Sequence, residues 1–256
     1  MLKIFADISN QFGQIVEFSS ELADQGFYAS NVNIPDRVSW KTNSDTSHYI
    51  IGTLVFGDDD SFAAPVDSVV ILDHNIPSTA TITLDIYTDL ESAPNSSYTI
   101  SWSEFLTIDL ALTATLGHYW KLTITDTVAF ELSISTILVG SSWAPSRGVD
   151  ADSHEIGRNS LSKRLTLRNG STFVQPTKSF RYHRITVKEM TDSDAFGFSD
   201  ITFRYGKSTP IFVYLLNGTS LFTTSVYYGR LIEWSSLSPT SVSGNYKVSF
   251  TIEESK

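Results

Sequence analysis

The sequence predicts an all-β protein, and three observations lead to that class. Of its 256 residues, 37 are Ser and 27 are Thr, and aromatic residues make up a further 12%. Such a mixture suits turns and half-buried strands better than helices. Apolar and polar residues also alternate with a period of two in several segments, and Asn-Gly pairs stand between some segments, as in β-hairpins.

The strand pattern is clearest in Thr81–Tyr87, where Ile82, Leu84 and Ile86 alternate with polar residues. A period of two places one face of a strand in the core and the other in solvent. The same rhythm recurs in four other sets, namely Trp120, Leu122 and Ile124; Leu132 and Ile134; Ile201, Phe203 and Tyr205; and Tyr246, Val248, Phe250 and Ile252. We predict a strand at each of them.

Two hairpins are predicted in the C-terminal half of the chain. Asn169-Gly170 separates RLTLR from STFVQ, and Asn217-Gly218 separates IFVYLL from TSLFTT. Asn-Gly tolerates the two positive φ angles of a type I′ turn. The one helical prediction is a short piece within residues 19–26, capped by Ser at its start and ended by Gly.

Charge divides the chain into two predicted domains, residues 1–148 and 149–256. The first holds 5 Lys and Arg against 18 Asp and Glu, a net charge of −13, and the second holds 13 against 10, a net charge of +3. The change coincides with residues 144–158, whose Pro, Gly and charged residues are typical of a linker or a long loop. The boundary is therefore placed near Gly148, between a larger β-sandwich and a smaller antiparallel β-sandwich.

Composition excludes several classes of protein. With no Cys, the chain has no disulfide, thiolate zinc site, iron–sulfur cluster or cysteine nucleophile. A pI near 4.9 argues against nucleic acid as a partner, because affinity for phosphate backbones comes from clustered Lys and Arg. Residues 1–10 lack the apolar stretch of a secretory signal, and the longest apolar run, residues 211–216, is far shorter than a membrane span. We therefore expect no membrane insertion, and a protein that stays in the cell that makes it until something larger carries it out.

No sequence motif predicts an enzyme. Phosphate-binding loops, the dinucleotide glycine fingerprint, the HExxH and GxSxG motifs and the EF-hand loop are absent from the sequence. The five histidines are far apart in sequence, which favours turn or strand positions over a local metal site; they are His48, His74, His118, His154 and His183. A carboxylate pair for glycoside hydrolysis stays open as an alternative, since such pairs are set in space and not in sequence.

One acidic turn is a candidate metal site. Asp58, Asp59 and Asp60 follow Gly57 and offer oxygen ligands to a structural Ca²⁺, since hard cations need several carboxylate and carbonyl oxygens converging on a loop. A solvated acidic turn is the alternative interpretation. No other cofactor is predicted.

Aromatic rings are the candidates for binding a sugar, because a ring stacks on the apolar face of a saccharide while polar groups of loops bind its hydroxyls. In the acidic half these are Phe27, Tyr28, Trp40, Tyr49, Trp102 and Tyr119. Trp40 and Trp120 fall in patterned segments and are interpreted as core residues. Trp102, within SSYTISWSEF, is less obviously buried.

Six segments together resemble a discoidin-like, galactose-binding-like jelly roll. They are residues 29–40 (ASNVNIPDRVSW), 50–56 (IIGTLVF), 66–75 (VDSVVILDHN), 79–87, 118–125 (HYWKLTIT) and 134–140 (ISTILVG). In that pattern a Trp follows an early Asn/Asp loop, a strand ends in a His-Asn turn, and a late aromatic-x-Leu-x-Ile strand precedes the terminal one. The resemblance implies a jelly-roll β-sandwich for the first domain.

Three further segments resemble the second β domain of tail proteins of tailed bacteriophages. They are residues 204–214 (RYGKSTPIFVY), 227–231 (YYGRL) and 247–254 (KVSFTIEE). The whole chain is then similar to a minor or distal tail protein, a family without catalytic residues. The resemblance implies a structural virion component, located in the tail after synthesis in the host cytoplasm. Its partners would be other tail proteins and further copies of itself, in a trimer or a hexamer.

The alternative function is carbohydrate binding at a host cell surface. Its loop site would lie at one end of the jelly roll, at the residues Tyr28, Asp36, Arg37, Trp40, His74 and Asn75, with Trp102 as a further candidate. Both functions can hold together, since phage tails also touch surface glycans. A glycoside hydrolase is the third hypothesis.

Overall fold

A computed structural model of the chain describes residues 2–5, 15–21, 39–54, 63–102, 105–109, 113–147, 154–160, 163–166, 172–175, 179–207, 210–215, 225–240 and 245–254. The chain divides into two compact units. The first is Phe5–Ser142, and the second is Trp143–Lys256 together with Met1–Ile4. The domain limits near Gly148 and the linker at residues 144–158 stay predictions, and the last residues of that stretch belong to a strand that begins at His154.

The described elements are, in chain order, β1 Leu2–Phe5, β2 Ile15–Phe18, β3 Trp40–Lys41, β4 Asp45–Thr53, β5 Ala64–Val66, β6 Ser68–His74, β7 Thr81–Tyr87, β8 Ser96–Ile100, β9 Phe105–Asp109, β10 Thr115–Gly117, β11 Tyr119–Phe130, β12 Ser133–Gly140, β13 Ser142–Trp143, β14 His154–Ser160, β15 Lys163–Thr166, β16 Thr172–Gln175, β17 Ser179–Met190, α1 Asp192–Tyr205, β18 Pro210–Leu215, β19 Ser225–Trp234, β20 Ser238–Pro239 and β21 Tyr246–Glu254. Strands dominate, with one helix in the described part of the chain. The predicted all-β class is confirmed. Within those residues, no helix is long and apolar enough to cross a membrane.

The first unit is an antiparallel β-sandwich. One sheet has the order β2-β4-β11-β7-β8 and the other the order β3-β12-β6-β9, while β5 and β10 form a separate pair. All of these pairings are antiparallel. The chain passes from one large sheet to the other after β2, β3, β6, β8 and β11, and such crossings are typical of a jelly roll.

The core of the first unit is formed by side chains from both of its large sheets, such as Ile50 of β4 and Ile71 of β6. Burying such apolar surface is the main favourable contribution to folding. The interpretation of Trp40 and Trp120 as core residues is confirmed, since they are 0% and 1% exposed. The alternating residues predicted to face the core are buried as well, namely Ile82, Leu84, Ile86, Leu122, Ile124, Leu132 and Ile134.

The second unit is built on one eight-stranded sheet. The path along this sheet is β13-β1-β18-β19-β21-β17-β14, with β20 paired to β21, and β15 pairs with β16 in a two-stranded sheet. Sequence reasoning did not anticipate that β1 joins this sheet. The strand predicted around Tyr246 is confirmed as β21, where Val248, Phe250 and Ile252 are buried.

One predicted strand is wrong, because Ile201, Phe203 and Tyr205 belong to helix α1. The buried side chains of the helix include Ala195, Phe198 and Ile201, at a spacing of three residues, whereas Phe203 is 89% exposed. A spacing of three or four residues places side chains on one helix face. The local alternation of apolar and polar residues near the C-terminus of α1 imitated a strand.

The first predicted hairpin is confirmed as an antiparallel pair of its two predicted segments, whereas in the second the segment 211–216 pairs with a strand that begins later than predicted. In the first, β15 pairs with β16 from Lys163↔Gln175 to Thr166↔Thr172. In the second, β18 pairs with β19. The Asn-Gly turns themselves and the predicted arm at residues 219–224 lie outside the described residues. Of the short helix predicted within residues 19–26, the described residues 19–21 are not helical.

Candidate functional site

Asn75 lies directly after β6 and ties together two loops at one end of the sandwich. Its Oδ1 accepts a hydrogen bond from the backbone N–H of Ser133 at 2.7 Å, and its Nδ2 donates to the carbonyl oxygen of Glu131 at 2.9 Å. Its own backbone N–H donates to the carbonyl oxygen of Ser133 at 3.2 Å. Both ends of the Asn75 amide are thus bonded to the β11–β12 connection, which gives this side chain a positioning role in the loop region.

His74 points into the protein at the end of β6. The strand bends just before it, because Asp73 has a φ of +46° and the pairing with β9 shifts register between Leu72 and His74. Irregularities of this kind re-aim a side chain. His74 is 5% exposed, and its Nδ1 accepts a hydrogen bond from the backbone N–H of Ile76 at 3.3 Å. In the neutral ring the proton is therefore on Nε2.

Among the described site candidates, Trp102 presents an aromatic surface to solvent. Trp102 is 37% exposed as a residue, and its Nε1 donates a hydrogen bond to the carbonyl oxygen of Ile76 at 2.8 Å. Ile76 directly follows Asn75, so Trp102 is anchored to the same loop that the Asn75 amide holds in place. The hydrogen bond restricts the orientation of the indole and satisfies its polar atom. What remains is a fixed, partly exposed ring beside loop backbone.

Trp40 is placed in the core, the role that its patterned segment indicated. It is fully buried, pairs with Ile134 across β3 and β12, and donates from Nε1 to the carbonyl oxygen of Ser20 at 2.9 Å. A buried ring has no face free for a saccharide. Trp40 supports the sandwich beneath the loops.

Tyr49 is a candidate ring whose surroundings differ from those of Trp102. Its hydroxyl donates to Oε1 of Glu17 at 2.6 Å, and Nζ of Lys121 lies 4.8 Å from the centre of its ring. The hydrogen bond to Glu17 raises the pKa of Tyr49, and slight burial adds to this effect. Because the Lys121 ammonium lies over its ring, Tyr49 is a poorer stacking surface than Trp102.

Several predicted site residues lie outside the described residues. They are Phe27, Tyr28, Asp36 and Arg37 among the sugar-binding candidates, and Asp58, Asp59 and Asp60 of the candidate Ca²⁺ turn. Their roles stay predictions. Among the residues that the structure does describe, no group of three or more His, Asp and Glu side chains is arranged to hold a metal ion.

Sequence reasoning missed a polar cluster in the second unit. His154, His183 and Glu254 are joined by hydrogen bonds, although they come from strands far apart in sequence. We interpreted each His by its immediate neighbours, and no local spacing indicates that these two meet. The only signal available was that all three residues stand in or next to strand-like segments of the same half.

The structure is similar to solved carbohydrate-binding domains at low identity. The chitosan-binding module 1 from a Paenibacillus chitosanase/glucanase is 18% identical with a TM-score of 0.39, over 52% of this chain and 98% of that one. A family 32 carbohydrate-binding module from Clostridium perfringens, solved with galactose, is 15% identical with a TM-score of 0.40, over 54% and 98%. The lectin domain of lectinolysin, solved with Lewis B antigen, is 14% identical with a TM-score of 0.41, over 54% and 98%.

These similarities cover about half of this chain, and at such identities and scores they identify neither a ligand nor a site in it. No family model matches the sequence, and a search of curated proteins finds no match. The geometry around Trp102 is therefore the basis for assigning a function.

Proposed function

We propose that the first unit is a non-catalytic carbohydrate-binding module whose ligand stacks on Trp102. The observation that carries this proposal is that Trp102 is 37% exposed while its indole N–H is held on the carbonyl oxygen of Ile76. An aromatic ring of fixed orientation binds the apolar face of a pyranose at little cost in side-chain entropy. The loops around it supply backbone polar groups for the sugar hydroxyls.

The charge of this half of the chain favours uncharged or basic saccharides. Residues 1–148 carry a net charge of −13, and the exposed residues Asp73 and Glu131 belong to the two chain segments that the Asn75 amide joins. The net negative charge of this half of the chain lowers the local concentration of anionic ligands and raises that of cationic ones. We therefore expect neutral hexoses and amino sugars to bind better than sialylated or uronic acid glycans.

The experiment is a glycan-binding comparison between wild type and Trp102→Ala. We expect affinity for the best-bound saccharide to fall by about tenfold or more, because the stacking surface is lost. Loss of the hydrogen bond to Ile76 should cost only about 1 kcal/mol of folding stability. The panel includes galactose, fucose and chitosan oligosaccharides next to sialylated glycans, measured by array and then by calorimetry.

Phe18→Ala is the matched control for this test. Phe18 lies on β2 of the same sandwich and is exposed to the same 37%, so its removal tests whether any exposed aromatic ring matters. We expect this variant to bind like wild type. Equal binding by wild type and Trp102→Ala, with both folded, would rule out the Trp102 site.

The second candidate function is assembly into a phage tail, as the resemblance implies. One observation favours a protein contact: Phe196 and Phe203, seven residues apart on α1, are 77% and 89% exposed. Two such rings on one helix face are a typical element of a protein interface. In this proposal the chain is a virion component that contacts other tail proteins and further copies of itself.

Mass spectrometry and immunogold labelling of purified virions would locate it in the tail, and its absence from particles would exclude this function.

A further inference from the structure

Three side chains on neighbouring strands of the second unit form one hydrogen-bonded chain. Nε2 of His183, on β17, lies 2.7 Å from Oε1 of Glu254 on β21, and its Nδ1 lies 3.2 Å from Nε2 of His154 on β14. The two imidazole rings are stacked, with centroids 5.5 Å apart. The side chain of His183 is 0% exposed and that of Glu254 is 21% exposed. The chain therefore runs from a carboxylate through a buried ring to β14.

These hydrogen bonds determine where the protons are at neutral pH. The ionised Glu254 carboxylate can only accept, so Nε2 of His183 donates to it. In a neutral imidazole the other nitrogen is then an acceptor, so Nδ1 of His183 accepts from Nε2–H of His154. The chain is fully satisfied with both rings neutral, and a single added proton on Nδ1 of His154 leaves it intact.

A second proton breaks the chain. With both rings protonated, each of the facing nitrogens, Nδ1 of His183 and Nε2 of His154, carries a hydrogen, and two donors meet at 3.2 Å. Two positive charges in contact, one of them on a buried ring, add electrostatic repulsion to the lost hydrogen bond. The contact between β14 and β17 at this point is therefore incompatible with full protonation.

Burial and the nearby positive charges also disfavour protonation of the two rings. Burial lowers the pKa of His183, Glu254 offsets part of this, and Arg181 lowers it further; Nη1 of Arg181 lies 3.6 Å from the same Glu254 oxygen. Burial, followed by the charge of His183, lowers the pKa of His154. The other charged residues of the surrounding elements are Glu155 and Arg158 on β14, Arg184, Lys188 and Glu189 on β17, Arg230 and Glu233 on β19, Lys247 and Glu253 on β21, and Asp192, Asp194, Asp200 and Arg204 on α1.

The sign of the pH dependence follows from these shifts. Both folded-state values lie below that of an unfolded His, near 6.5, so an opened segment binds more protons in acid. The stabilisation by the chain is complete above about pH 6.5 and is lost as the pH falls toward the folded-state pKa values.

β14 is the strand that this loss affects most. It stands at the end of the sheet path, next to β17, and is paired from His154↔Ile185 to Ser160↔Ser179. Its described residues Glu155, Ile156 and Arg158 are exposed. The exposed side chains of these three residues bury little apolar surface, so the polar contact at the first residue of β14 adds to the backbone pairing that attaches the strand.

We propose that the His154–His183–Glu254 chain is an acid-sensitive latch: it holds β14 on β17 at neutral pH and releases β14 in acid. Release leaves the backbone N–H and C=O groups of β17 unpaired along that side. An exposed sheet edge of this kind accepts a strand from another chain. The second unit would thus gain a strand-pairing surface when it enters an acidic environment.

The test is hydrogen–deuterium exchange of the full chain at about pH 7.5 and about pH 5, on either side of the ordinary His pKa, corrected for the intrinsic pH dependence of exchange. We expect protection of residues 154–160 to fall by up to about tenfold per pH unit for each proton taken up on opening. Protection of β18 and β19, in the same sheet, should stay constant. Equal loss across all of these strands would indicate global acid unfolding and overturn the proposal.

Three variants separate the latch from other effects of acid. His154→Gln keeps an amide donor for Nδ1 of His183 but takes up no proton, so most of the pH dependence at residues 154–160 should disappear. Glu254→Gln keeps an acceptor for Nε2 of His183 but removes the negative charge that favours protonation of His183 after β14 has left β17, so release should move to lower pH. Arg158→Gln, an exposed change on the same strand, should behave like wild type. An undiminished acid effect in His154→Gln would show that the latch does not exist.

Discussion

Replacing Trp120 by Ala is expected to lower the free energy of unfolding of the first unit by about 3–5 kcal/mol, the range for removing a large buried aromatic side chain. Trp120 is 1% exposed and stands opposite Gly52 in the pairing of β11 with β4. A Cβ at Gly52 would lie 2.5 Å from the indole ring. The ring occupies space that this neighbour cannot fill, so its loss leaves a cavity in a closely packed core.

Trp120→Phe is the matched control for this prediction. Nε1 of Trp120 is buried and has no hydrogen-bond partner among the described residues, so removing the N–H carries little penalty, while Phe retains much of the ring volume. We expect the loss for Phe to be less than half of the loss for Ala. Denaturant unfolding of the full chain gives both values, and an unfolding curve of Trp120→Ala that matches wild type would contradict the core position of this residue.

Strands such as β7 and β11 of the first unit could be predicted because one face of each strand is buried and the other contacts solvent. In β7 and β11 the burial alternates along the chain just as hydrophobicity does, as at Ile82, Leu84 and Trp120. A period of two is therefore visible in the sequence. In β6 the consecutive residues Val69, Val70 and Ile71 are all buried, and a continuous apolar run does not distinguish a strand from a buried helix by periodicity alone.

The interior of helix α1 does not predict a helix from local sequence, because a tertiary contact overrides propensity. Gly197 within the helix argues against helical structure. In the folded unit a Cβ at that position would lie 2.6 Å from the indole of Trp143, and the Trp143 ring also packs against Phe198 at 5.7 Å. Gly197 weakens the helix in isolation, but its lack of a side chain lets α1 approach Trp143 closely. Trp143 is 54 residues away from Gly197 in sequence.

Local sequence also fails to predict the contacts of the candidate site that join residues far apart in the chain. Exposure of Trp102 could be inferred because Ser and Thr surround it in the sequence. The hydrogen bonds of the Asn75 side chain could not be inferred, because the partners of its amide are 56 and 58 residues away in sequence. The histidine chain joins residues separated by 29 and 71 positions. Side-chain contacts over such separations follow from sheet order, which composition and periodicity do not specify.

Replacing Asp194 by Ala is expected to destabilise the second unit by about 2–3 kcal/mol, because a helix cap and buried hydrogen bonds are lost together. Asp194 is 8% exposed. Its Oδ2 accepts from the backbone N–H of Thr191 at 3.0 Å and from Oγ of Ser146 at 2.6 Å, and its Oδ1 accepts from the backbone N–H of Ser146 at 3.2 Å. Thr191 Oγ1 in turn accepts from the backbone N–H of Asp194, which completes a capping box at the start of α1.

The same carboxylate makes this stabilisation depend on pH. Burial raises the pKa of Asp194, but the hydrogen bonds from Ser146 and Thr191 outweigh it and hold the pKa below its usual value. Its contribution is therefore complete above about pH 4, the range of an unfolded Asp, and is lost as the pH falls through the lower folded-state value. The free-energy gap between wild type and Asp194→Ala in denaturant titrations should thus shrink in strong acid.

Asp192→Ala, which removes an exposed carboxylate from the same first turn, should cost well under half as much at neutral pH. A gap as large in strong acid as at neutral pH would show that the ionised carboxylate is not what stabilises the start of α1.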